Sequence, residues 1–113
     1  MASTGPKQGI MYGWSSGESG WDTGMDNNLK LVDTLLSLRV LDKDLSTPPA
    51  SPTEGATYII GASPTGVWAG KAGQVAIYRG AAWNYYVCKL GQIAYVTDED
   101  TFYGLKSAGW ALI

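Results

Sequence analysis

The sequence contains no histidine and only one cysteine, and these two shortages remove most familiar catalytic and metal-binding arrangements. Without histidine there is no Ser-His or Cys-His nucleophile pair, and the commonest side-chain metal ligand is missing. A single cysteine cannot form an internal disulfide or a zinc site of the usual spacing. We therefore expect a protein that is not an enzyme and that needs no metal or cofactor.

Charge of either sign is also scarce, with eight Lys and Arg against ten Asp and Glu and a net charge of −2. The basic residues are scattered, so nucleic-acid binding is not expected. No window approaches the ~20 apolar residues of a membrane span, and the first twenty residues lack the apolar segment of a signal peptide. We expect a chain made in a cytoplasm, without membrane insertion.

Two short stretches carry reactive side chains. The lone Cys88 follows Tyr85-Tyr86-Val87, a context typical of a small buried hydrophobe. The cluster Asp98-Glu99-Asp100 could hold Ca²⁺ or act as an acid/base pair in a hydrolase. Because no EF-hand-like ligand series surrounds it, a solvated turn is the favoured interpretation.

What the sequence has in excess is amphipathic aromatics and glycine: five Trp, seven Tyr and fifteen Gly against a single Phe. In the last half of the chain, short β-type runs lead through small turns to a tryptophan, which predicts hairpins. A quasi-repeat supports this, since Gly73-Gln74 and Gly91-Gln92 each precede a similar run and predict a strand start. The three candidate hairpins join Tyr58–Ile60 to Trp68, Val75–Tyr78 to Trp83, and Phe102–Leu105 to Trp110.

These aromatic residues allow two interpretations. As core residues, each tryptophan would remove roughly 150–250 Å² from water, and burial is the commoner fate of such side chains. As exposed residues, Trp68, Trp83 and Tyr85 could instead form a platform on which a sugar stacks.

Residues 1–21 are rich in Gly and Ser yet carry large apolar side chains. A free flexible arm does not normally contain them. The composition predicts an extended arm that becomes ordered on a neighbouring protein, and the alternative is a disordered leader with only Trp21 tucked against the domain. The predicted docking residues are Ile10, Met11, Tyr12, Trp14 and Trp21.

Residues 22–45 show helical spacing with two apolar stripes. Together they cover about half of the circumference, more than the ~100° needed to sit on one core. One stripe is predicted to pack on the β region and the other on further copies of the chain, most simply as a homotrimer; the alternative is a helix embedded in its own core. The first stripe is Met25, Leu29, Val32 and Leu36, and the predicted oligomer interface is Leu31, Leu35 and Leu38.

Residues 46–55 form a Pro-rich linker that predicts an extended strap, and residues 56–113 form the β region. The expected fold class is thus α+β. It comprises an extended N-terminal arm, one oligomerising helix, the strap, and a small antiparallel β-hairpin domain arranged as a sandwich or meander.

A longer pattern joins these segments. Pro48-Pro49-Ala50-Ser51-Pro52-Thr53-Glu54-Gly55-Ala56-Thr57-Tyr58 is followed by Gly66-Val67-Trp68-Ala69-Gly70 and by Gly73-Gln74-Val75-Ala76. The pattern resembles a family of phage, prophage and gene-transfer-agent tail proteins catalogued as a domain of unknown function. Where that family more often has a second glycine or a polar residue, the turn Arg79-Gly80-Ala81-Ala82 has alanine.

The resemblance implies a structural virion protein: a short tail fibre, fibre base or adaptor that contacts other tail or head proteins. No catalytic residue is part of the pattern. Many relatives continue into longer fibre regions, whereas this sequence stops at Ile113, which favours an adaptor or fibre base. The alternative function is a carbohydrate-binding module for host surface polysaccharide.

Overall fold

The computed structural model describes residues 2–113 and shows a mostly β protein. Its described residues divide into two compact units, residues 2–36 and residues 37–113. The N-terminal unit contains β1 (Ser3–Thr4), β2 (Met11–Tyr12) and α1 (Trp21–Leu35). The C-terminal unit contains β3 (Leu38–Val40), β4 (Thr57–Ile59), a 3-10 turn (Gly66–Trp68), β5 (Val75–Arg79), β6 (Ala82–Tyr86), β7 (Ile93–Val96), β8 (Thr101–Lys106) and β9 (Gly109–Leu112).

The helix is shorter than the sequence pattern predicts. It begins after Gly20, whose left-handed φ of 87° turns the chain into the first helical residue. It ends at Leu35, because Leu36 is extended and Ser37 has a φ of 53°. The predicted continuation through Leu38 is wrong: Leu38 belongs to β3 and pairs with Ala94 of β7.

The N-terminal unit is folded upon itself. Strands β1 and β2 pair antiparallel, and Gly5 N donates to Ile10 O at 2.6 Å across the turn between them. Asn28 then joins β2 to the helix. Its Nδ2 donates to Met11 O at 2.8 Å, and its Oδ1 accepts from Met11 N at 2.9 Å. The expected extended arm is therefore wrong for these residues.

The C-terminal unit contains a four-stranded sheet in the order β3-β7-β8-β9 and a three-stranded sheet in the order β4-β5-β6. Strands β3 and β7 run parallel, whereas the other pairs in these two sheets are antiparallel. The predicted α+β class with a wholly antiparallel β domain is thus contradicted. A strand that pairs parallel needs a partner brought back by a long connection, which local hairpin patterns do not reveal.

Two of the three predicted hairpins are confirmed. Tyr78 faces Trp83 across β5 and β6, and Leu105 faces Trp110 across β8 and β9. The first prediction is wrong, because β4 pairs with β5 and Trp68 lies in the 3-10 turn.

The Gly-Gln repeat is a structural repeat. Gly73 N donates to Ile60 O at 2.8 Å, and Ile60 N donates to Gln74 O at 2.9 Å. The second copy has the same pair of bonds, from Gly91 N to Leu105 O at 2.8 Å and from Leu105 N to Gln92 O at 2.9 Å. Each Gly-Gln turn therefore starts a strand, β5 or β7, by clamping a neighbouring segment.

The Pro-rich segment begins against the loop that precedes Trp68. Ser46 Oγ donates to Ala62 O at 2.6 Å, and Thr65 N donates to Ser46 O at 2.9 Å. Gly61 allows the two segments to approach closely, since a Cβ at this position would lie 2.7 Å from the Asp44 carbonyl oxygen. The start of the strap is thereby fixed against this loop.

Candidate functional site

The predicted docking residues of the N-terminal arm have unequal surroundings. Trp14 lies so close to Gly24 of α1 that a Cβ on Gly24 would overlap its indole. Met11 is held by the Asn28 side chain, whereas Tyr12 and Trp21 remain 53 % and 57 % exposed. Ile10, Met11 and Trp14 are only partly exposed, so Tyr12 and Trp21 are the two predicted docking residues with much of their side chain in solvent.

The predicted oligomer interface is occupied within the chain itself. Leu35 and Leu38 are only 7 % and 2 % exposed, and Leu31 is half-buried. A side chain already covered by its own chain has no further surface to bury against a second copy. Leu31, Leu35 and Leu38 therefore do not form a free stripe.

The first stripe is exposed at Met25 and Leu29, whereas Val32 is half-buried and Leu36 lies beyond the end of α1. Met25 is 37 % exposed and Leu29 is 60 % exposed, and Trp21 extends the row by one turn. Because residues four apart lie on the same side of a helix, these three side chains form a continuous strip along α1. We call Trp21, Met25 and Leu29 the apolar strip; it is the largest departure from the predicted use of the helix.

The predicted sugar platform is mostly core. Trp68 has no exposed surface, and its ring packs edge-on against Trp83 at a centroid distance of 5.1 Å and in a tilted arrangement against Tyr58 at 5.8 Å. Its Nε1 finds no hydrogen-bond acceptor among the described residues. Burial raises the pKa of Tyr58, with a smaller contribution from the Asp42 carboxylate. Trp68 is thus a packing residue and presents no ring face to a ligand.

The other two members of that platform are half-buried. Trp83 also contacts Tyr78 edge-on at 5.3 Å. The Tyr85 hydroxyl donates to Val67 O at 3.0 Å, and the Lys71 ammonium lies 4.5 Å from the Tyr85 ring centroid. Burial raises the pKa of Tyr85. Lys71 thus occupies one face of the ring on which a sugar was predicted to stack.

A different surface offers exposed aromatic carbon. A groove with a volume of about 630 Å³ lies on the four-stranded sheet, and we call it the outer groove. Tyr95 stands between Arg39 of β3 and Phe102 of β8 in the strand register, and the Tyr95 and Phe102 rings meet edge-on at 5.3 Å. Phe102 and Ile93 are 57 % and 53 % exposed. The lining residues are Ser37, Leu38, Arg39, Gly91, Gln92, Ile93, Tyr95 and Phe102.

The alternation of small or buried residues with larger ones along β7 is the sequence feature that could have predicted this groove. Ala94 and Val96 are fully buried, so Ile93 and Tyr95 must face outward. Apolar residues on both faces of the strands predict an extra layer, but the register that aligns Arg39, Tyr95 and Phe102 depends on the parallel pairing of β3. Sequence reasoning therefore missed these residues as a group.

The acidic cluster forms the turn between β7 and β8, and its carboxylates have separate tasks. The Tyr103 hydroxyl donates to Glu99 and the Tyr95 hydroxyl donates to Asp100, and these hydrogen bonds raise the pKa of each tyrosine. Lys43 Nζ lies 3.9 Å from Glu99 Oε2. Desolvation, followed by the nearby Asp42 charge, raises the pKa of Asp98. The turn is thereby tied to its own strands.

Cys88 is 9 % exposed, and burial raises the pKa of its thiol to about 11. Its predicted role as a small buried hydrophobe is confirmed. Across residues 2–113, no three Asp, Glu, Cys or His side chains are grouped as a metal site requires. Within the same residues, the helix is too short and too polar to cross a bilayer.

Residues 25–111 match the model of a family described as a protein of unknown function (DUF2793). The chain belongs to this family. Among curated proteins, none matches significantly. The matched region of this DUF2793 member starts in α1, at the second residue of the apolar strip, and includes the whole outer groove.

Proposed function

We propose that the protein is a non-enzymatic structural component of a tailed-phage virion, an adaptor or fibre base that docks on another tail or head protein through its N-terminal unit. The resemblance of the Pro48–Tyr58 and Gly66–Gly70 motifs to phage tail proteins supports the virion assignment. The observation that carries the docking role is the apolar strip on α1, which the chain leaves exposed.

The strip is large enough to matter energetically. Fully burying a Leu or Met side chain contributes on the order of 1.5–3 kcal/mol, and a tryptophan contributes more. Trp21, Met25 and Leu29 are 57 %, 37 % and 60 % exposed in the isolated chain, so a partner that covers them gains roughly half of these amounts. Such a contribution is comparable to a typical hot spot in a protein interface.

The sequence also predicts a homotrimer, and this remains a prediction. Leu35 and Leu38, two of the three leucines assigned to that interface, are buried in the chain, so a trimer would need a further surface. Sedimentation velocity of the full chain tests it directly: a single species of three chains supports self-assembly, and a monomer removes it.

The virion assignment is tested by particle composition. A tagged full-length chain is expressed in the source cells, phage or phage-like particles are purified on a density gradient, and the tag is detected by immunoblot. Co-migration of the tag with particles, resistant to a wash in high salt, is the expected result. A tag found only in the soluble fraction contradicts the proposal.

A second candidate function is binding of host surface polysaccharide, and the outer groove favours it. An exposed aromatic ring such as Phe102 can stack on the apolar face of a sugar. The Arg39 side chain is exposed, so its guanidinium donors can reach hydroxyl or carboxylate groups of a ligand.

Affinity electrophoresis in host polysaccharide tests this function. Phe102→Ala is expected to abolish retardation, whereas Tyr12→Ala, which removes a ring of similar exposure, is expected to leave it unchanged. Equal retardation of the two variants and the unmodified chain contradicts polysaccharide binding at the outer groove.

A further inference from the structure

The face of α1 that carries the apolar strip also carries an acidic strip. At ~100° per residue, Trp21, Met25 and Leu29 span about 80° of the helix circumference. In the same projection Asp22, Asp33 and Asp26 lie within the next ~60°, immediately beside Leu29. These three aspartates are exposed. The acidic strip, defined by Asp22, Asp26 and Asp33, therefore runs parallel to the apolar strip on its Leu29 side.

The carboxylates of the acidic strip form no ion pair within the described residues. The only hydrogen bond found there for any of them is local, from Thr23 N to Asp22 Oδ1 at 2.9 Å. Lys30, the one basic residue of α1, lies about 40° beyond Asp26, on the side away from the apolar strip. The apolar strip is thus bordered by negative charge alone on that side.

A second copy of the chain does not complement this pattern. In an antiparallel pair of identical helices the two acidic strips would adjoin, and like charges repel. In a parallel pair the acidic strip would meet the opposite border of the apolar strip, which holds Asn28 and Leu35. Both are buried, and neither is basic. Self-association therefore supplies no cation for the three aspartates.

We infer that this face of α1 binds an amphipathic helix of another protein, whose apolar residues cover Trp21, Met25 and Leu29 and whose Lys or Arg flank pairs with Asp22, Asp26 and Asp33. The strip from Trp21 to Leu29 extends over ~12 Å at 1.5 Å per residue, the length of about two turns of such a helix. The inference rests on the proposed virion function, in which the partner is a neighbouring virion protein.

The binding chemistry is tested with two synthetic helical peptides of the same apolar pattern. One carries lysine along one flank and the other carries glutamate at the same positions. Fluorescence anisotropy of the labelled peptides with the full chain is expected to show at least tenfold tighter binding of the lysine peptide, decreasing with added salt. Equal affinities, or no binding of the lysine peptide, overturn the inference.

Variants of the chain assign the binding to this face. The triple variant Asp22→Asn, Asp26→Asn, Asp33→Asn is expected to weaken the lysine peptide about tenfold, as three exposed ion pairs would. Leu29→Glu is expected to abolish binding. Leu112→Glu is the control, because Leu29 and Leu112 are similarly exposed, at 60 % and 58 %. Circular dichroism checks that each variant is folded, and equal effects of the two leucine variants overturn the assignment.

Two outcomes separate this inference from the proposed function. If the unmodified chain is absent from particles but still prefers the lysine peptide, the virion function fails and the docking face stands. If Leu29→Glu enters particles as well as the unmodified chain does, the docking face fails and the virion function stands. A homodimer or trimer dispersed by Leu29→Glu would show that a second copy covers this face, and would overturn the inference.

Discussion

The two units of the protein bury their apolar residues to very different extents. In residues 37–113, the side chains of Ile59, Ile60, Trp68, Val75 and Val96 are at most 2 % exposed. In residues 2–36, Leu35 is the one apolar side chain below 9 % exposure among those described, and the apolar strip stays in solvent. The C-terminal unit thus has a core of its own, whereas the N-terminal unit presents much of its apolar surface to potential partners.

This difference reflects how each unit is held together. A folded unit gains most of its stability from apolar area removed from water, and a short segment with few buried side chains gains little. The N-terminal unit has few buried side chains, and it is held together by the hydrogen bonds of Asn28 and by the packing of Trp14 on Gly24. The helix is thereby ordered while its outer face stays available.

The largest expected effect is the loss of Trp68. Trp68→Ala should destabilise the C-terminal unit by about 3–5 kcal/mol, because it empties the centre of the aromatic cluster. Urea unfolding followed by circular dichroism measures this change. The matched control is Trp21→Ala in the exposed strip, which should change stability by less than ~0.5 kcal/mol. Similar losses for both tryptophans would break the comparison between the units.

A smaller effect is expected at Gly24. Alanine favours a helix over glycine by about 1 kcal/mol, but the added Cβ would displace the Trp14 ring. Gly24→Ala should therefore increase acrylamide quenching of tryptophan fluorescence and leave the unfolding of the C-terminal unit unchanged. Asn27→Ala, at an exposed helix position, is the control that improves helix propensity alone. Unchanged quenching in Gly24→Ala would contradict the account of Trp14.

A gain in stability is expected at the turn between β5 and β6. Ala81 has a φ of 62°, a left-handed conformation that costs a non-glycine residue about 1–2 kcal/mol. Ala81→Gly should stabilise the C-terminal unit by up to about 1 kcal/mol in urea unfolding. Ala82→Gly, in β6 beside it, should destabilise by ~0.5–1 kcal/mol. The same sign for both variants would show that backbone strain is not the cause.

The predicted and unpredicted parts of the fold differ in the range of the contacts that form them. The hairpins that end at Trp83 and Trp110 and the strands that follow Gly73-Gln74 and Gly91-Gln92 come from local turn chemistry, so the sequence reveals them. The role of β3 comes from its pairing with β7. Leu38 and Val40 fit a three-residue strand as well as a helical stripe, and only the distant partner decides between them.

The candidate surfaces also depend on contacts between distant segments, which the sequence does not reveal. The two stripes of the helix are visible in the sequence, but which of them is covered depends on tertiary packing. The importance of Gly24 cannot be read from the helix sequence alone, because it comes from the contact with Trp14, a residue of the preceding segment. The outer groove required the register between Arg39, Tyr95 and Phe102.

The smallest effect on stability concerns Cys88. Because burial raises its pKa to about 11, iodoacetamide should modify the folded chain slowly at pH 8, and the rate should rise as the pH approaches 11. In urea the thiol returns to a pKa near ~8.5 and should react quickly. The raised pKa also means that folding stability falls as the pH rises from about 9 towards 11. Equal rates in the folded and unfolded chain would contradict the burial of this residue.

The contrast between a self-sufficient β unit and a helix left for a partner is tested most directly by particle incorporation of two matched variants. Leu29 and Leu112 are 60 % and 58 % exposed, so Leu29→Glu and Leu112→Glu add the same charge at similarly exposed positions. We predict that Leu112→Glu co-purifies with particles as the unmodified chain does and that Leu29→Glu stays in the soluble fraction. Retention of both variants, or loss of both, would contradict it.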